Sequence, residues 1–288
     1  MYERFWSRYC SFVHSTNQGL SAIPASFSTV SLFIAHLHEI GLAPATISSH
    51  LSAISYYHII LDHPDPCDSP KIRRMLLGCR KLKNSKDNRK PLLHKHINLL
   101  LNSNNHVFSD NAYVKVMIKS LILLTYFGFF RMGELLPNSS ATAKHVVQFS
   151  HVELLSKSIR LVLHHSKTNN SSKPIVILIH KESPHCPVKS LREFLNIRGS
   201  QPGPLFISAI GAPLTIQAFR SNFKQLLQFS QLSTQHYKLH SFRIGACTQA
   251  ILSGVSEADV MRMGRWKSHA FKRYIRIPNI GTKPRKAN

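Results

Sequence analysis

The longest apolar stretch of the chain, MIKSLILLTYFGFF at residues 117–130, limits the folds that are open to it. After Lys119 only eleven uncharged residues precede Arg131, whereas a membrane span needs roughly 20. A run of this length and composition is typical of a helix buried in a protein core, and Gly128 marks its end. The sequence therefore predicts a globular domain built around this helix, and 288 residues suffice to bury a large core.

The first 83 residues predict helices and no strands. Apolar side chains recur at helical spacing in segments punctuated by Pro24, Gly41 and Pro44, namely 2–14, the stretch from Pro24 to Gly41, the stretch from Pro44 to Ile60, and 72–82. The segment LKNSKDNRKPL that follows is polar and charged. We predict a compact helical domain over 1–83 and a linker over 84–92.

The remainder, 93–288, has a mixed pattern. Two strand-like stretches, 158–165 and 173–180, flank SKTNNSS, whose Asn and Ser content is typical of a hairpin turn. Helical patterns cover 93–101, 113–126, 188–198, 215–229, 241–253 and 257–264. The predicted fold class is mainly α with a small β-hairpin or sheet, an α+β arrangement.

The charge of the chain points to a polyanionic partner. There are 37 Lys and Arg against 13 Asp and Glu, a formal net charge of +24. A basic RNA-binding protein is one alternative, but a hydrophobic content of 43% favours a packed globular protein over a basic arm. Charge alone does not separate DNA from RNA.

The cysteine and histidine patterns favour an intracellular protein without a metal site. Five cysteines stand far apart with no C-x-x-C pair, which favours reduced thiols, and the charged N-terminus is unlike a secretory signal. His236 and His240 have the i, i+4 spacing of a zinc helix, but no Glu follows His236 and no third ligand is evident.

Residues 239–276, LHSFRIGACTQAILSGVSEADVMRMGRWKSHAFKRYIR, hold side chains suited to phosphate chemistry. A helix would present His240 and Arg243 on one face, and Trp266 and Tyr274 follow after a second helix opened by Ser256. Taken singly, each of these residues has a purely structural explanation as a cap, a surface charge or a packed aromatic.

This run resembles the active-site segment of tyrosine recombinases, closest to Cre and to the recombinases of DIRS, Ngaro and Crypton mobile elements. In that family His-x-x-Arg is followed by His or Trp and then by the nucleophilic Tyr. The first arginine lies in a Gly-hydrophobic-Arg-x-x-Glu context, like Arg131 and Glu134 in TYFGFFRMGELL, and a lysine lies at a hairpin tip, like Lys167 in HHSKTNN. GLAPATISSHLSAISYYH resembles a DNA-contacting helix of Cre. The resemblance covers nearly the whole chain.

The resemblance implies a DNA core-binding (SAM-like) domain at 1–83, a catalytic domain at 93–288, and cleavage and rejoining of DNA through a 3′-phosphotyrosyl bond. It assigns phosphate binding to Arg131 and Arg243, the nucleophile to Tyr274, and proton transfers to His240 and Lys167. Trp266 would hold a phosphate oxygen and pack the site, while Glu134 would orient Arg131. No metal, nucleotide or small-molecule substrate is implied.

For DNA recognition the resemblance to Cre suggests two sets of residues in the helical domain. The set expected to face a major groove is Thr46, Ser49 and His50, and the set expected to meet phosphates is Arg73, Arg74, Arg80 and Lys83. A solvated basic helix face explains these charges equally well. The expected assembly is a homo-tetramer on paired double-stranded sites, nuclear if the source is a eukaryotic mobile element.

The sequence departs from the family pattern in three respects. Trp266 precedes Tyr274 by eight positions where Cre has nine, and Arg265 stands where Gly or His is often found. Fourteen residues follow the tyrosine and include Pro278, Gly281 and Pro284, so no further docking helix is expected there. Two rival functions remain: a domesticated or decayed DNA-binding protein of the same fold, and a monomeric type IB topoisomerase, which the Cre-like N-terminal domain disfavours.

Overall fold

A computed structural model describes residues 2–16, 19–83, 87–165 and 173–276. The chain divides into two compact units, Met1–Asp87 and Asn88–Asn288, which we call the first unit and the second unit. Each has its own hydrophobic core. The fold is mainly helical with a small antiparallel sheet, as the sequence predicts.

In its described part the first unit is helical. Its helices are α1 (Tyr2–Ser15), α2 (Phe27–Glu39), α3 (Pro44–Ile60) and α4 (Pro70–Leu82). Ser26 and Ser69 cap α2 and α4 by accepting backbone N–H groups, and Pro44 is the first residue of α3. The helical prediction for these segments is confirmed, with small differences at the ends. Their apolar faces enclose a core that includes Tyr9, Phe33, Ile47, Ile54 and Ile72.

The second unit is organised around the apolar run. Its helices are α5 (His94–Val107), α6 (Ala112–Phe127), α7 (Met132–Leu135), α8 (Pro187–Arg198), α9 (Ile216–Phe229), α10 (Ser241–Leu252) and α11 (Glu257–Gly264). α6 packs against α5, α8 and α10, and the consecutive residues 121–124 are all buried, as predicted for a core helix. Among the described helices, none is both long and apolar enough to cross a membrane.

Among its described residues, the second unit has one antiparallel sheet in the order β1 (Val152–Leu154), β2 (Ser158–Leu163), β3 (Ile175–His180). Alternate residues of β2 and β3 are buried, among them Ile159, Leu161 and Ile179, because successive side chains of a strand face opposite sides. The two predicted arms of the hairpin are thus confirmed, while the short strand β1 was not predicted.

The segment predicted as a linker, 84–92, differs from that prediction at its C-terminal end. Leu92 is fully buried in the core of the second unit. The backbone N–H groups of Lys90 and Leu92 donate to the carbonyls of His236 and Ser241 at 2.9 and 3.1 Å. The segment was predicted as a linker because the residues around Leu92 are polar and charged. Its C-terminal end is instead anchored to the second unit by Leu92 and by these two hydrogen bonds.

Candidate active site

Arg131 lies at the turn where the buried helix α6 ends. Gly128 caps α6, Phe129 follows in the left-handed region with φ of 50°, and Arg131 is the N-cap of α7. Glu134 Oε1 accepts from Arg131 Nη1 at 3.0 Å, and its Oε2 accepts from the Arg131 backbone N–H at 2.9 Å. Glu134 is 4% exposed. This buried carboxylate therefore holds both the backbone and the guanidinium group of Arg131, whose side chain remains 19% exposed.

Arg243 projects from α10 and is 1% exposed. Its Nη1 and Nη2 donate to the carbonyl oxygens of Phe129 and Gly264, and its buried Nε has no hydrogen-bond partner among the described residues. Burial, followed by the like charges of Arg131 and Arg265, lowers the pKa of Arg243 to about 10. The group still carries its charge at neutral pH, so it is a desolvated cation that an anion would stabilise.

The rings of His240 and Trp266 flank the phenol of Tyr274. His240 is the N-cap of α10, and its ring centroid lies 5.1 Å from that of Tyr274. Trp266 follows α11, with its ring centroid 5.0 Å from that of Tyr274. The Arg243 guanidinium carbon lies 4.2 Å from the Trp266 ring centroid and 5.8 Å from the Tyr274 ring centroid. The structure thus brings four sequence-predicted residues together, and Trp266 contributes the face of its ring to the arginine.

Tyr274 ends a 3₁₀ helix, His269–Tyr274, which is capped by Ser268 and anchored by the fully buried Phe271. The buried hydroxyl of Thr248 on α10 donates to the Tyr274 carbonyl at 3.0 Å and accepts from the Arg276 backbone N–H at 3.0 Å. Thr248 was not among the predicted site residues. The sequence signal for Thr248 is its position five residues after Arg243, because both residues then belong to one short helix.

Arg265, which the sequence marked only as a departure from the family pattern, shares a hydrogen-bond acceptor with Arg131 and another with Arg243. Its Nη2 donates to Glu134 Oε2 at 2.9 Å and to the Phe129 carbonyl at 3.1 Å, and its Nη1 donates to the Gly128 carbonyl at 2.9 Å. Its guanidinium carbon lies 5.1 Å from the Phe130 ring centroid. Burial lowers the pKa of Arg265, while the charge of Glu134 raises it.

Lys167 lies outside the described residues, as does the segment after Arg276 that includes Pro278, Gly281 and Pro284. Strands β2 and β3, which flank the segment containing Lys167, are described and paired. Within the described part of the chain, no cluster of three or more His, Cys, Asp or Glu side chains could hold a metal ion.

His50 in the first unit does not face outward as predicted. It is 2% exposed, its Nδ1 lies 2.9 Å from the Thr46 carbonyl, and its ring lies 4.5 Å from that of Phe5 and 5.8 Å from that of Phe33. Position 50 follows the buried Ile47 by three residues, so helical geometry turns it toward the core. Thr46 and Ser49 are partly exposed.

Two of the four basic residues predicted to meet phosphates have partners within the first unit. Lys83 is partly buried, and its ammonium group donates to the Gly41 carbonyl. Arg73 is exposed and pairs with Asp68 at 2.9 Å. Arg74 and Arg80 are exposed on α4. The sequence identified the charges of this surface, but not the local interactions that two of them make.

A cavity of about 570 Å³ opens beside His240 in the second unit. Its basic lining residues are Arg220 and Lys224 of α9 and Lys238, and its apolar wall includes Phe223 and Leu227. The candidate site thus adjoins a concave, positively charged surface.

Solved structures of similar fold include three DNA complexes. The Tn1549 transposon integrase, in complex with circular intermediate DNA, is 14% identical with a TM-score of 0.64, covering 95% of this chain and 89% of that one. The XerH site-specific recombinase bound to its difH substrate is 16% identical with a TM-score of 0.61, covering 88% and 67%. A lambda integrase dimer bound to a COC′ core site is 17% identical with a TM-score of 0.59, covering 93% and 70%.

No curated protein matches the sequence. The model of the phage integrase family, in contrast, matches residues 90–277, which is more than half of the chain. That range contains Arg131, Glu134, His240, Arg243, Trp266 and Tyr274. The chain therefore belongs to the phage integrase family and is a tyrosine recombinase.

Proposed function

We propose that this protein is a site-specific recombinase that cuts and rejoins double-stranded DNA through Tyr274. The observation that carries the proposal is the grouping of His240, Arg243 and Trp266 around the tyrosine ring, with ring or guanidinium separations of 5.0 to 5.8 Å. DNA as the partner is supported by the net charge of +24 and by the DNA complexes of the Tn1549 integrase and XerH.

In the proposed reaction the Tyr274 oxygen attacks the scissile phosphorus, a bond forms between them, and the bond from phosphorus to the 5′ oxygen breaks. Arg131 and Arg243 bind the non-bridging oxygens, since guanidinium groups match phosphate geometry and stay charged. His240 takes the phenol proton and Lys167 gives a proton to the departing 5′ oxygen. A 5′ hydroxyl of another strand then reverses the step, so the energy of the phosphodiester is retained.

We further propose that residues 1–83 form a DNA core-binding domain and that 93–288 form the catalytic domain. In the first unit, Arg74 and Arg80 are the candidates for phosphate contacts, because both are exposed on one helix. Thr46 and Ser49 are the candidates for base contacts. If these assignments hold, Arg74→Ala with Arg80→Ala weakens binding equally on all DNA sequences, whereas Ser49→Ala changes sequence preference; the reverse pattern contradicts them.

The proposed assembly is a homo-tetramer on paired sites, and the proposed source is a eukaryotic mobile element acting in the nucleus. The Tn1549 integrase, a transposon protein of similar fold, supports a mobile-element origin. Mass measurement of the complex on two paired sites tests the assembly, since one or two subunits per pair of sites would contradict it.

The experiment that tests the function is covalent trapping on nicked suicide substrates that carry candidate element ends. We expect a denaturant-resistant DNA adduct with the wild-type protein and none with Tyr274→Phe, which removes the nucleophilic oxygen and leaves the ring. Tight DNA binding without any adduct would contradict recombinase activity and would support a DNA-binding protein of the same fold.

A further inference from the structure

The proposed reaction gives no role to Arg265, whose side chain is largely buried beside the phosphate-binding arginines. Its side chain is 7% exposed, and both terminal nitrogens are engaged by Glu134 and by the carbonyls of Gly128 and Phe129. Burying a guanidinium group is costly unless it is paired and hydrogen-bonded. The Nε atom of Arg265 is buried without a hydrogen-bond partner among the described residues, so the cost of burial is only partly offset.

The first connection of Arg265 runs through Glu134 to Arg131. One carboxylate oxygen, Oε2, accepts both Arg265 Nη2 and the Arg131 backbone N–H, each at 2.9 Å. The other oxygen, Oε1, accepts Arg131 Nη1 at 3.0 Å. Arg265 therefore fixes the rotamer of the carboxylate that orients Arg131.

The second connection runs through backbone carbonyls to Arg243. The Phe129 carbonyl accepts both Arg265 Nη2 and Arg243 Nη1. The Gly264 carbonyl, which accepts Arg243 Nη2, belongs to the residue before Arg265, whose left-handed backbone at φ 59° and ψ 40° ends α11. One acceptor of Arg243, the Phe129 carbonyl, is thus bound by Arg265, and the other, the Gly264 carbonyl, belongs to the peptide bond that joins Gly264 to Arg265.

The net charge of the three arginines and Glu134 is also opposite to the charge that develops in the proposed reaction. Arg131, Arg243 and Arg265 carry three positive charges against the one negative charge of Glu134, which leaves a net charge of two. A phosphodiester attacked by a tyrosinate passes through a species with two negative charges. A fixed cluster of opposite charge stabilises that species more than it stabilises the singly charged substrate.

We propose that Arg265 is a positioning residue that holds both phosphate-binding arginines, Arg131 through Glu134 and Arg243 through the Phe129 carbonyl. This inference rests on the proposed function. It assigns no contact with DNA to Arg265 itself, so its removal should slow the chemical step and leave DNA affinity nearly unchanged.

The test compares Arg265→Met with Arg262→Met, since Arg262 is 82% exposed and lies one helical turn away. In single-turnover cleavage we expect Arg265→Met to be slower by about 10²-fold, with DNA affinity within about twofold, and Arg262→Met to match wild type. In an Arg131→Ala background the same change should cost only about tenfold, because the path through Glu134 to Arg131 is gone and only the path to Arg243 remains.

A full 10²-fold loss from Arg265→Met in the Arg131→Ala background as well, or no loss in the otherwise wild-type protein, would overturn the inference. If Arg265→Met does not fold, Arg265→Lys takes its place. It keeps the charge but not the forked donors, so we expect cleavage about tenfold slower than wild type and a smaller loss in the Arg131→Ala background. Wild-type rates with Arg265→Lys would overturn it. Absence of any adduct with wild type would instead contradict the proposed function.

Discussion

The hydroxyl of Thr248 contacts the backbone immediately C-terminal to the tyrosine side chain, through the Tyr274 carbonyl and the Arg276 N–H. We predict that Thr248→Val slows cleavage by about 10²-fold, because displacement of a reacting group by about 1 Å has effects of that size. Thr248→Ser, which restores the hydroxyl, should recover most of the rate.

A second assay separates positioning of the tyrosine from damage to the phosphate site. DNA ending in a 3′-p-nitrophenyl phosphate can be joined to a 5′ hydroxyl without the tyrosine nucleophile. Thr248→Val should keep wild-type joining of this substrate, and an equal loss of cleavage and joining would contradict the assigned role.

His50 gives the first unit a dependence on pH. Burial lowers the pKa of His50 below its ordinary value of 6.5, a backbone hydrogen bond to Thr46 opposes this shift, and the charges of Arg8 and Arg4 add to it. His50 is therefore protonated more readily in the unfolded chain than in the folded unit. The free energy of unfolding that His50 contributes is retained above about pH 6.5 and falls as the pH drops below that value.

We predict that His50→Leu shows a smaller drop in Tm than wild type between about pH 7.5 and about pH 5.5. Exposed His14 on α1 provides the control, and His14→Leu should keep the wild-type difference. If His50→Leu shows the same pH dependence of Tm as wild type, the imidazole of His50 does not contribute to that dependence.

At the scale of elements, helix α10 packs closely at Gly245 against the backbone of Leu92, which precedes α5. A Cβ on Gly245 would lie 1.9 Å from the Leu92 carbonyl oxygen and 2.7 Å from its nitrogen, and backbone atoms cannot rotate away as a side chain can. We predict that Gly245→Ala destabilises the protein by about 1–3 kcal/mol, measured by denaturant unfolding.

Gly78 in α4 supplies a matched control with the opposite sign. A Cβ there would meet no atom within 4 Å, so Gly78→Ala should stabilise the helix by about 1 kcal/mol. A neutral Gly245→Ala would show that the segment around Leu92 is not held against α10.

The helices were predictable because apolar spacing and helix-start residues agree, as at Pro44 and Ser256. Strand β1 was not, since its three residues acquire their structure only by pairing with β2. The resemblance to Cre wrongly placed His50 among the groove-facing residues, although its spacing from the buried Ile47 indicates the buried side. Arg265 carries no local signal, because its carboxylate partner lies 131 positions earlier in the sequence.

For the whole molecule, the charge of +24 predicts that DNA binding depends steeply on salt. A protein that neutralises several phosphates releases their counterions, so affinity should fall by about 10³-fold or more between about 50 and about 200 mM salt. A titration at several salt concentrations measures the slope. A flat dependence would contradict an extended contact with the DNA backbone.

The central claim is that Tyr274 forms a covalent bond to the 3′ phosphate of a cut DNA strand. The most direct test is mass spectrometry of the proteolysed adduct from a suicide substrate labelled separately at each end. Our account predicts one modified peptide, with the nucleotide on Tyr274 and the label from the 3′-phosphate side. A nucleotide attached to another residue, or through the 5′ phosphate, would contradict it.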